Sequence, residues 1–150
     1  MANFDDFKKL TKARLNTVKI LMKANDWNSA AYMMGYALEC SLKATVCKTL
    51  KLSVYPEYTK RENIDKYFMT HSFQQLLIVS GLSNIFSLDG PAKAFQNWSD
   101  FTNEYKDRWT EMRYEVEEKW DSDRVKKLYK YLVTGRSAII KEIRKTWKIN

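Results

Sequence analysis

Apolar residues recur every three or four positions along residues 26–48, and this spacing predicts one amphipathic helix. The positions on its apolar side are Trp27, Ala31, Met34, Leu38, Leu42 and Thr45. The opposite side carries Tyr32, Tyr36, Glu39 and Lys43, and the last two are spaced to interact as an ion pair. We expect the apolar side to enter a core and the polar side to stay displayed.

The same spacing predicts further helices along the chain. They cover residues 3–23, residues 72–80, a stretch that begins near Pro91, and residues 122–147. Asn3 and Ser72 are suited to cap the first and third of the five helices, and Gly81 is suited to end the third. Residues 51–70 are rich in charge and contain Pro56, so they predict a long connection with at most one helical turn.

Composition agrees with an all-α fold. The chain has 150 residues with only 4 glycines and 2 prolines, too few breakers for the frequent turns of a many-stranded β fold. A chain of this length fits one domain with a sizeable core. The sequence therefore predicts a single domain over residues 1–150, an up-and-down bundle of about five helices.

The net charge of +8 is unevenly distributed. Residues 1–50 carry eight basic and four acidic side chains, residues 51–120 carry nine and eleven, and residues 121–150 carry nine and three. Both terminal regions are therefore basic, which attracts polyanions such as RNA or DNA, although long solubilising helices have the same composition.

Neither the cysteines nor the hydropathy indicates an extracellular or membrane protein. Cys40 and Cys47 lie seven residues apart on one helix, too far apart to bridge, and reduced thiols in a core are typical of a cytoplasmic protein. The first ten residues contain no signal-peptide pattern. Residues 67–88 lack charged side chains but include His71 and several amides and serines, which argues against a membrane span.

Candidate chemistry is limited by the single histidine, His71. One histidine excludes a His-rich metal site within one chain, and no phosphate-binding glycine motif is present, so no metal and no cofactor is predicted. A lone histidine at a helix start is more often a capping or exposed residue than a catalytic one. The run of Glu115, Glu117 and Glu118 has the composition of a solvated segment rather than of a carboxylate pair.

Nucleic-acid binding stays open on composition alone. Lys8, Lys12, Lys19 and Lys23 line one flank of the first helix and can meet phosphates, as can the outer face of the last helix. Tyr32, Tyr36 and Trp109 can stack on bases if they are exposed. The alternative is that these aromatic residues belong to the core or to a dimer interface.

Three motifs resemble those of HEPN domains, a helical family whose name refers to nucleotide binding. The segment WNSAAYMMGYALECSLKATVCK, residues 27–48, is similar to the family's second helix, with its ALE-x-x-LKA pattern. Thr70-His71-Ser72-Phe73 followed by Leu76 is similar to a later T-H-x-[LF]-x-x-L helix start. Arg113-Tyr114 resembles an RY element before the last helix, so the resemblance spans roughly residues 5–145.

The resemblance implies an up-and-down helical bundle that often forms homodimers. Many members are metal-independent ribonucleases of toxin–antitoxin or defence systems that use an R-x(4–6)-H motif. This chain departs there, because neither Arg108 nor Arg113 is followed by a histidine at that spacing. The general acid–base histidine of such cleavage is missing at its usual place.

The leading hypothesis is a non-catalytic, dimeric HEPN-like module that binds RNA, a nucleotide or a protein partner such as a nucleotidyltransferase. The candidate binding residues are Arg108, Arg113, Tyr114, Tyr36, Glu39, Lys43 and His71. Planar guanidinium groups such as Arg108 and Arg113 are suited to phosphate. The alternative is a metal-independent endoribonuclease toxin with a rearranged site that uses Arg113 and Tyr114, or His71 from elsewhere in the fold.

Overall fold

The structure, a computed structural model, describes residues 2–57, 59–105, 108–114 and 119–148. These residues are helical with no strand, which confirms the all-α prediction. The α-helices are α1 (Phe4–Lys23), α2 (Trp27–Thr49), α3 (Glu62–Phe68), α4 (Phe73–Ser80), α5 (Ala94–Thr102), α6 (Ser122–Tyr129) and α7 (Ile139–Trp147). A 3-10 helix spans Trp109–Tyr114, and a π-helical turn spans Lys130–Thr134.

The helix ends follow the capping residues of the sequence. Asn3 accepts a hydrogen bond from the Asp6 N–H at 2.9 Å, and the Asp6 carboxylate accepts one from the Asn3 N–H at 3.0 Å. Asp26 caps α2, and Ser72 caps α4. Gly81 ends α4 with φ of 78°, a left-handed conformation that glycine adopts without strain. These contacts confirm the predicted boundaries of the first three predicted helices.

Helix α2 is the central element of the bundle. It packs against α1, α4, α6, α7 and the 3-10 helix, so most of its circumference is covered. The predicted apolar side is in the core, with Ala31, Met34, Leu38 and Leu42 fully buried. The expectation that the other side is displayed is wrong at Glu39 and Lys43, which are only 5% and 7% exposed, because His71 and Glu57 lie against them.

The last predicted helix is not continuous. After α6 and the π-helical turn the chain becomes extended at Gly135 and resumes as α7 at Ile139. The Asn97 amide of α5 donates hydrogen bonds to the carbonyls of Arg136 and Ser137 at 2.8 and 3.0 Å. These carbonyls therefore bond a side chain instead of the backbone of a continuous helix. The two bonds stabilise a break in the helix that the periodicity of the sequence did not predict.

Two other segments also differ from the predicted helices. Helix α5 begins at Ala94 rather than near Pro91, after Lys93 with φ of 70°. Residues 51–70 contain α3, which is longer than a single turn. Helix α3 and the break in the last helix explain why the described residues form more helices than the predicted five.

No α-helix among the described residues is both long and apolar enough to cross a bilayer.

Candidate functional site

A buried carboxylate lies at the centre of the candidate site. Glu39 is on α2, and its Oε1 lies 2.5 Å from Nδ1 of His71. Its Oε2 lies 3.6 Å from the ammonium of Lys43, one helical turn further along α2. Burial of an unpaired carboxylate is costly, and these two partners offset that cost. Glu39 therefore orients groups around it and is too buried to meet a large ligand itself.

His71 lies between α3 and α4 and forms the open side of this contact. Its side chain is 54% exposed. The hydrogen bond to Glu39 raises the pKa of His71, whereas partial burial and the charges of Lys43 and Arg113 lower it, with a net rise. Glu39 engages Nδ1, and Nε2 has no hydrogen-bond partner within the described parts of the chain. His71 can therefore present an N–H at the surface, and its raised pKa favours the charged imidazole.

The backbone around His71 is held by three hydrogen bonds. The indole N–H of Trp109 donates to the His71 carbonyl at 2.8 Å. The Thr70 hydroxyl accepts from the Ser72 N–H at 3.0 Å, and the Ser72 hydroxyl accepts from the Gln75 N–H at 3.3 Å. The histidine therefore lies in a defined turn although it is outside a helix.

Two tyrosines of α2 continue the site toward the 3-10 helix. The Tyr32 hydroxyl donates to the Tyr36 hydroxyl at 3.2 Å, and the two rings meet edge to face. Burial, together with this hydrogen bond, raises the pKa of Tyr36 to about 12. The Tyr36 phenol is therefore neutral at physiological pH, and both hydroxyls are available as hydrogen-bonding groups.

Arg113 brings the most exposed charge of the site. Its guanidinium lies 4.7 Å from the centre of the Tyr114 ring, and contacts with the hydroxyls of Tyr114 and Tyr32 raise its pKa. Its charge also acts on Tyr36 and His71, lowering the pKa of each, which puts it within electrostatic reach of both. We name the set of Tyr32, Tyr36, Glu39, Lys43, His71 and Arg113 the Glu39 cluster.

Lys43 is held from two sides and contributes little exposed charge. Its ammonium lies 3.9 Å from a Glu57 oxygen, in addition to the Glu39 contact, and 5.0 Å from the centre of the Tyr55 ring. A cavity of about 170 Å³ beside it is lined by Lys43, Glu57, Met69, Thr70 and His71. Because two carboxylates face Lys43, the outward positive charge of the cluster comes from Arg113 and from the protonated form of His71.

The structure brings most of the candidate binding residues together. Tyr36, Glu39, Lys43, His71 and Arg113 belong to the Glu39 cluster, and Tyr114 contacts Arg113. Arg108 does not join them: its side chain is 84% exposed and pairs with Glu111 at 3.5 Å. Arg108 instead lines a separate groove of about 410 Å³ with Trp120 and Arg124.

Two neighbours of the cluster have contacts that the sequence did not predict, Trp109 and Glu57. Trp109 is 2% exposed, so the alternative that it belongs to the core holds for this residue, and its indole packs on the Tyr36 ring. The sequence signal for this role is Gly35, an isolated glycine inside a helix, which costs about 1 kcal/mol relative to alanine. Glu57 lies in the charged connection, and no pattern in the sequence connects it with Lys43.

The arrangement is suited to anions rather than to metal ions. Among the described residues, no group of three or more histidine, cysteine or acidic side chains is arranged to hold a metal. The run of Glu115, Glu117 and Glu118 lies outside the described residues. An exposed guanidinium and an imidazole with a raised pKa can bind phosphate, and a histidine backed by a carboxylate can also transfer a proton.

Comparison with known proteins does not assign the chain to a family. No protein-family model, curated protein or solved structure matches the chain. A functional proposal therefore rests on the geometry of the Glu39 cluster and on the resemblance of three motifs to HEPN domains.

Proposed function

We propose that the chain is a non-catalytic HEPN-like module that binds the phosphate groups of RNA or of a nucleotide at the Glu39 cluster. The observation that carries this proposal is the 2.5 Å contact between Glu39 and His71 beside the exposed Arg113. A buried carboxylate fixes the imidazole and raises its pKa, which favours the charged form of His71 within electrostatic reach of Arg113.

The surroundings of these two groups support a phosphate ligand. Charge-assisted hydrogen bonds from guanidinium and imidazolium to phosphate are about twice as strong as neutral ones. The hydroxyls of Tyr32 and Tyr36 lie beside them and can bond sugar or base atoms. The net charge of +8 adds a long-range attraction for polyanions.

Two finer elements of the proposal come from the HEPN resemblance alone. They are a homodimer and a toxin–antitoxin or defence context with a nucleotidyltransferase partner. The mass in solution, measured by light scattering over a range of protein concentrations, tests the dimer. A monomer at every concentration would contradict it without affecting the phosphate site.

Binding is tested with a fluorescently labelled single-stranded RNA and fluorescence anisotropy over a salt series. We expect Arg113→Ala to weaken binding about tenfold. The slope of log K against log salt should also become shallower, by about 0.7 for each phosphate that the variant no longer neutralises.

Arg108→Ala is the matched control, because Arg108 has the same charge, lies five residues away and is outside the cluster. It should change the affinity much less than Arg113→Ala. Competition by a mononucleotide separates a nucleotide site from one that needs a longer strand. Absence of RNA and nucleotide binding at low salt, or equal losses of affinity in the two arginine variants, would refute the phosphate site.

Endoribonuclease activity is a second candidate, and the same contact favours it. His71 is oriented by Glu39, has a raised pKa and lies within electrostatic reach of Arg113, as a general acid–base group requires. The test is incubation of the protein with RNA in the presence of a metal chelator. Cleavage that disappears in both His71→Ala and Arg113→Ala would support an enzyme. If the parent protein leaves the RNA intact, the proposal of a binding module stands alone.

A further inference from the structure

Gly35 lies in the interior of α2, where glycine is one of the least favourable residues. A Cβ atom at this position would lie 2.7 Å from Cζ3 and 2.8 Å from Cε3 of Trp109. To reach an ordinary contact of 3.4 Å from 2.7 Å, the ring and the helix would have to separate by about 0.7 Å. Only glycine therefore allows the indole to approach the α2 backbone so closely.

The indole has little freedom to move away from such a Cβ. Trp109 is 2% exposed. Its ring is stacked on Phe73 at 5.3 Å between centres with an angle of 20°. Tyr36 and Tyr105 meet it edge to face at 5.0 and 6.2 Å. A displacement of the ring therefore disturbs several packed neighbours at once.

The same indole connects both irregular parts of the site to α2. Its N–H donates to the His71 carbonyl at 2.8 Å, which holds the turn that carries the imidazole. Trp109 is also the first residue of the 3-10 helix that carries Arg113. The Trp109 indole thus holds the His71 backbone directly and anchors the start of the 3-10 helix that carries Arg113.

We infer that Gly35 and Trp109 are positioning residues of the Glu39 cluster: the close seating of the indole on α2 brings His71 and Arg113 to one ligand-binding face. This inference rests on the proposed phosphate site for its functional consequence. Its structural part, the control of His71 by the seating of Trp109, is measurable without any ligand.

The first test is Gly35→Ala, read through the imidazole signal of His71, which NMR can follow without overlap because the chain has one histidine. Displacement of the indole should break the 2.8 Å bond to the His71 carbonyl and loosen the contact with Glu39. We expect the His71 pKa to fall toward its ordinary value of 6.5, with helix content by circular dichroism unchanged. RNA affinity should fall about tenfold, as for Arg113→Ala.

Two further variants keep the inference testable if Gly35→Ala does not fold. Trp109→Phe removes the N–H donor without adding a methyl group to α2, and it should lower the His71 pKa in the same direction. In the double variant Gly35→Ala/Trp109→Phe the smaller ring leaves room for the methyl group. The changes in His71 pKa and in RNA affinity should therefore be smaller in the double variant than the sum of the changes in the two single variants.

The inference and the proposed function fail in different ways. An unchanged His71 pKa in both Gly35→Ala and Trp109→Phe would overturn the positioning role, whatever the protein binds. If the changes in the double variant equalled the sum of the changes in the two single variants, the steric explanation would be overturned. A parent protein that binds no RNA or nucleotide would remove the phosphate site, and the pKa measurements would still decide whether Trp109 positions His71.

Discussion

The Glu39 cluster has two sides that are built in different ways. On the α2 side, Tyr32, Tyr36, Glu39 and Lys43 are spaced 4, 3 and 4 residues apart on one helix. On the other side, His71 lies in a turn and Arg113 in a short 3-10 helix. The α2 side is held by the helix backbone and by core packing, whereas the other side is held by the packed Trp109 indole and a few specific hydrogen bonds.

Because of this difference, we expect substitutions on one side to affect the stability of the bundle and substitutions on the other side to affect the geometry of the site. Substitutions on the α2 side remove packing or leave buried charges without partners, and they should destabilise the whole bundle. Substitutions on the other side touch exposed groups, and they should alter the site while leaving the free energy of unfolding nearly unchanged. Three experiments test this difference, in descending order of the change in stability that we expect.

The largest effect is expected for Leu38→Ala on α2. Leu38 is fully buried in the main core, so truncation should lower the free energy of unfolding by about 2–5 kcal/mol. Urea unfolding followed by circular dichroism measures it. Ile20→Ala is the control, because Ile20 is 67% exposed and should change stability by about 0.5 kcal/mol or less. Similar losses of stability in both variants would show that α2 is not the packed centre of the bundle.

The α2 side of the site was predictable because helical periodicity encodes it. A spacing of three or four residues is sufficient to put Glu39 beside Lys43 and Tyr32 beside Tyr36, and the structure has both contacts. The caps at Asn3 and Ser72 were equally readable, since a side chain bonds a backbone N–H only three residues away. Local rules therefore account for the helices and for half of the cluster.

On the other side His71 and Arg113 were candidates through the HEPN resemblance, but their contacts were not predictable because they are long-range. His71 lies 32 residues from Glu39, and the Trp109 indole bonds a carbonyl 38 residues away. The bonds from Asn97 that stabilise the break before α7 span 39 and 40 residues. Periodicity within one helix carries no information about such contacts. The same limit explains why Glu39 and Lys43 were expected to be displayed although other segments cover them.

A smaller loss of stability is expected for Glu39→Gln. Glutamine keeps the shape of the side chain but removes the charge that pairs with Lys43 and His71. Lys43 keeps Glu57 as a partner and His71 is half exposed, so the free energy of unfolding should fall by about 1–3 kcal/mol, less than for Leu38→Ala. Urea unfolding measures the change, and NMR should show the His71 pKa moving toward 6.5.

Glu111→Gln is the control for this substitution. Glu111 pairs with Arg108 on the surface, with 62% of its side chain exposed, and such pairs contribute about 0–1 kcal/mol. If Glu39→Gln were as mild as Glu111→Gln and left the His71 pKa in place, Glu39 would not be the organising group of the cluster.

The smallest effect is the dependence of stability on the protonation of His71. The folded state raises the pKa of His71 above its ordinary value of 6.5, chiefly through the hydrogen bond to Glu39. A raised pKa means that the folded protein holds this proton more tightly than the unfolded chain does. The stabilising contribution is therefore complete below pH 6.5 and disappears as the pH rises through the higher pKa of the folded state.

The measurement compares the parent with His71→Gln in urea unfolding series from below pH 6.5 to above the folded-state pKa. The stability advantage of the parent should be greatest at the acidic end and should shrink as the pH rises. Tyr36 and Cys40 do not interfere, because burial raises their pKa to about 12 and about 11. The advantage should be modest, since solvent screens a side chain that is 54% exposed. A difference that is constant with pH, or that grows toward alkaline pH, would mean that the Glu39–His71 contact does not form in solution, and the two sides of the site would then be independent.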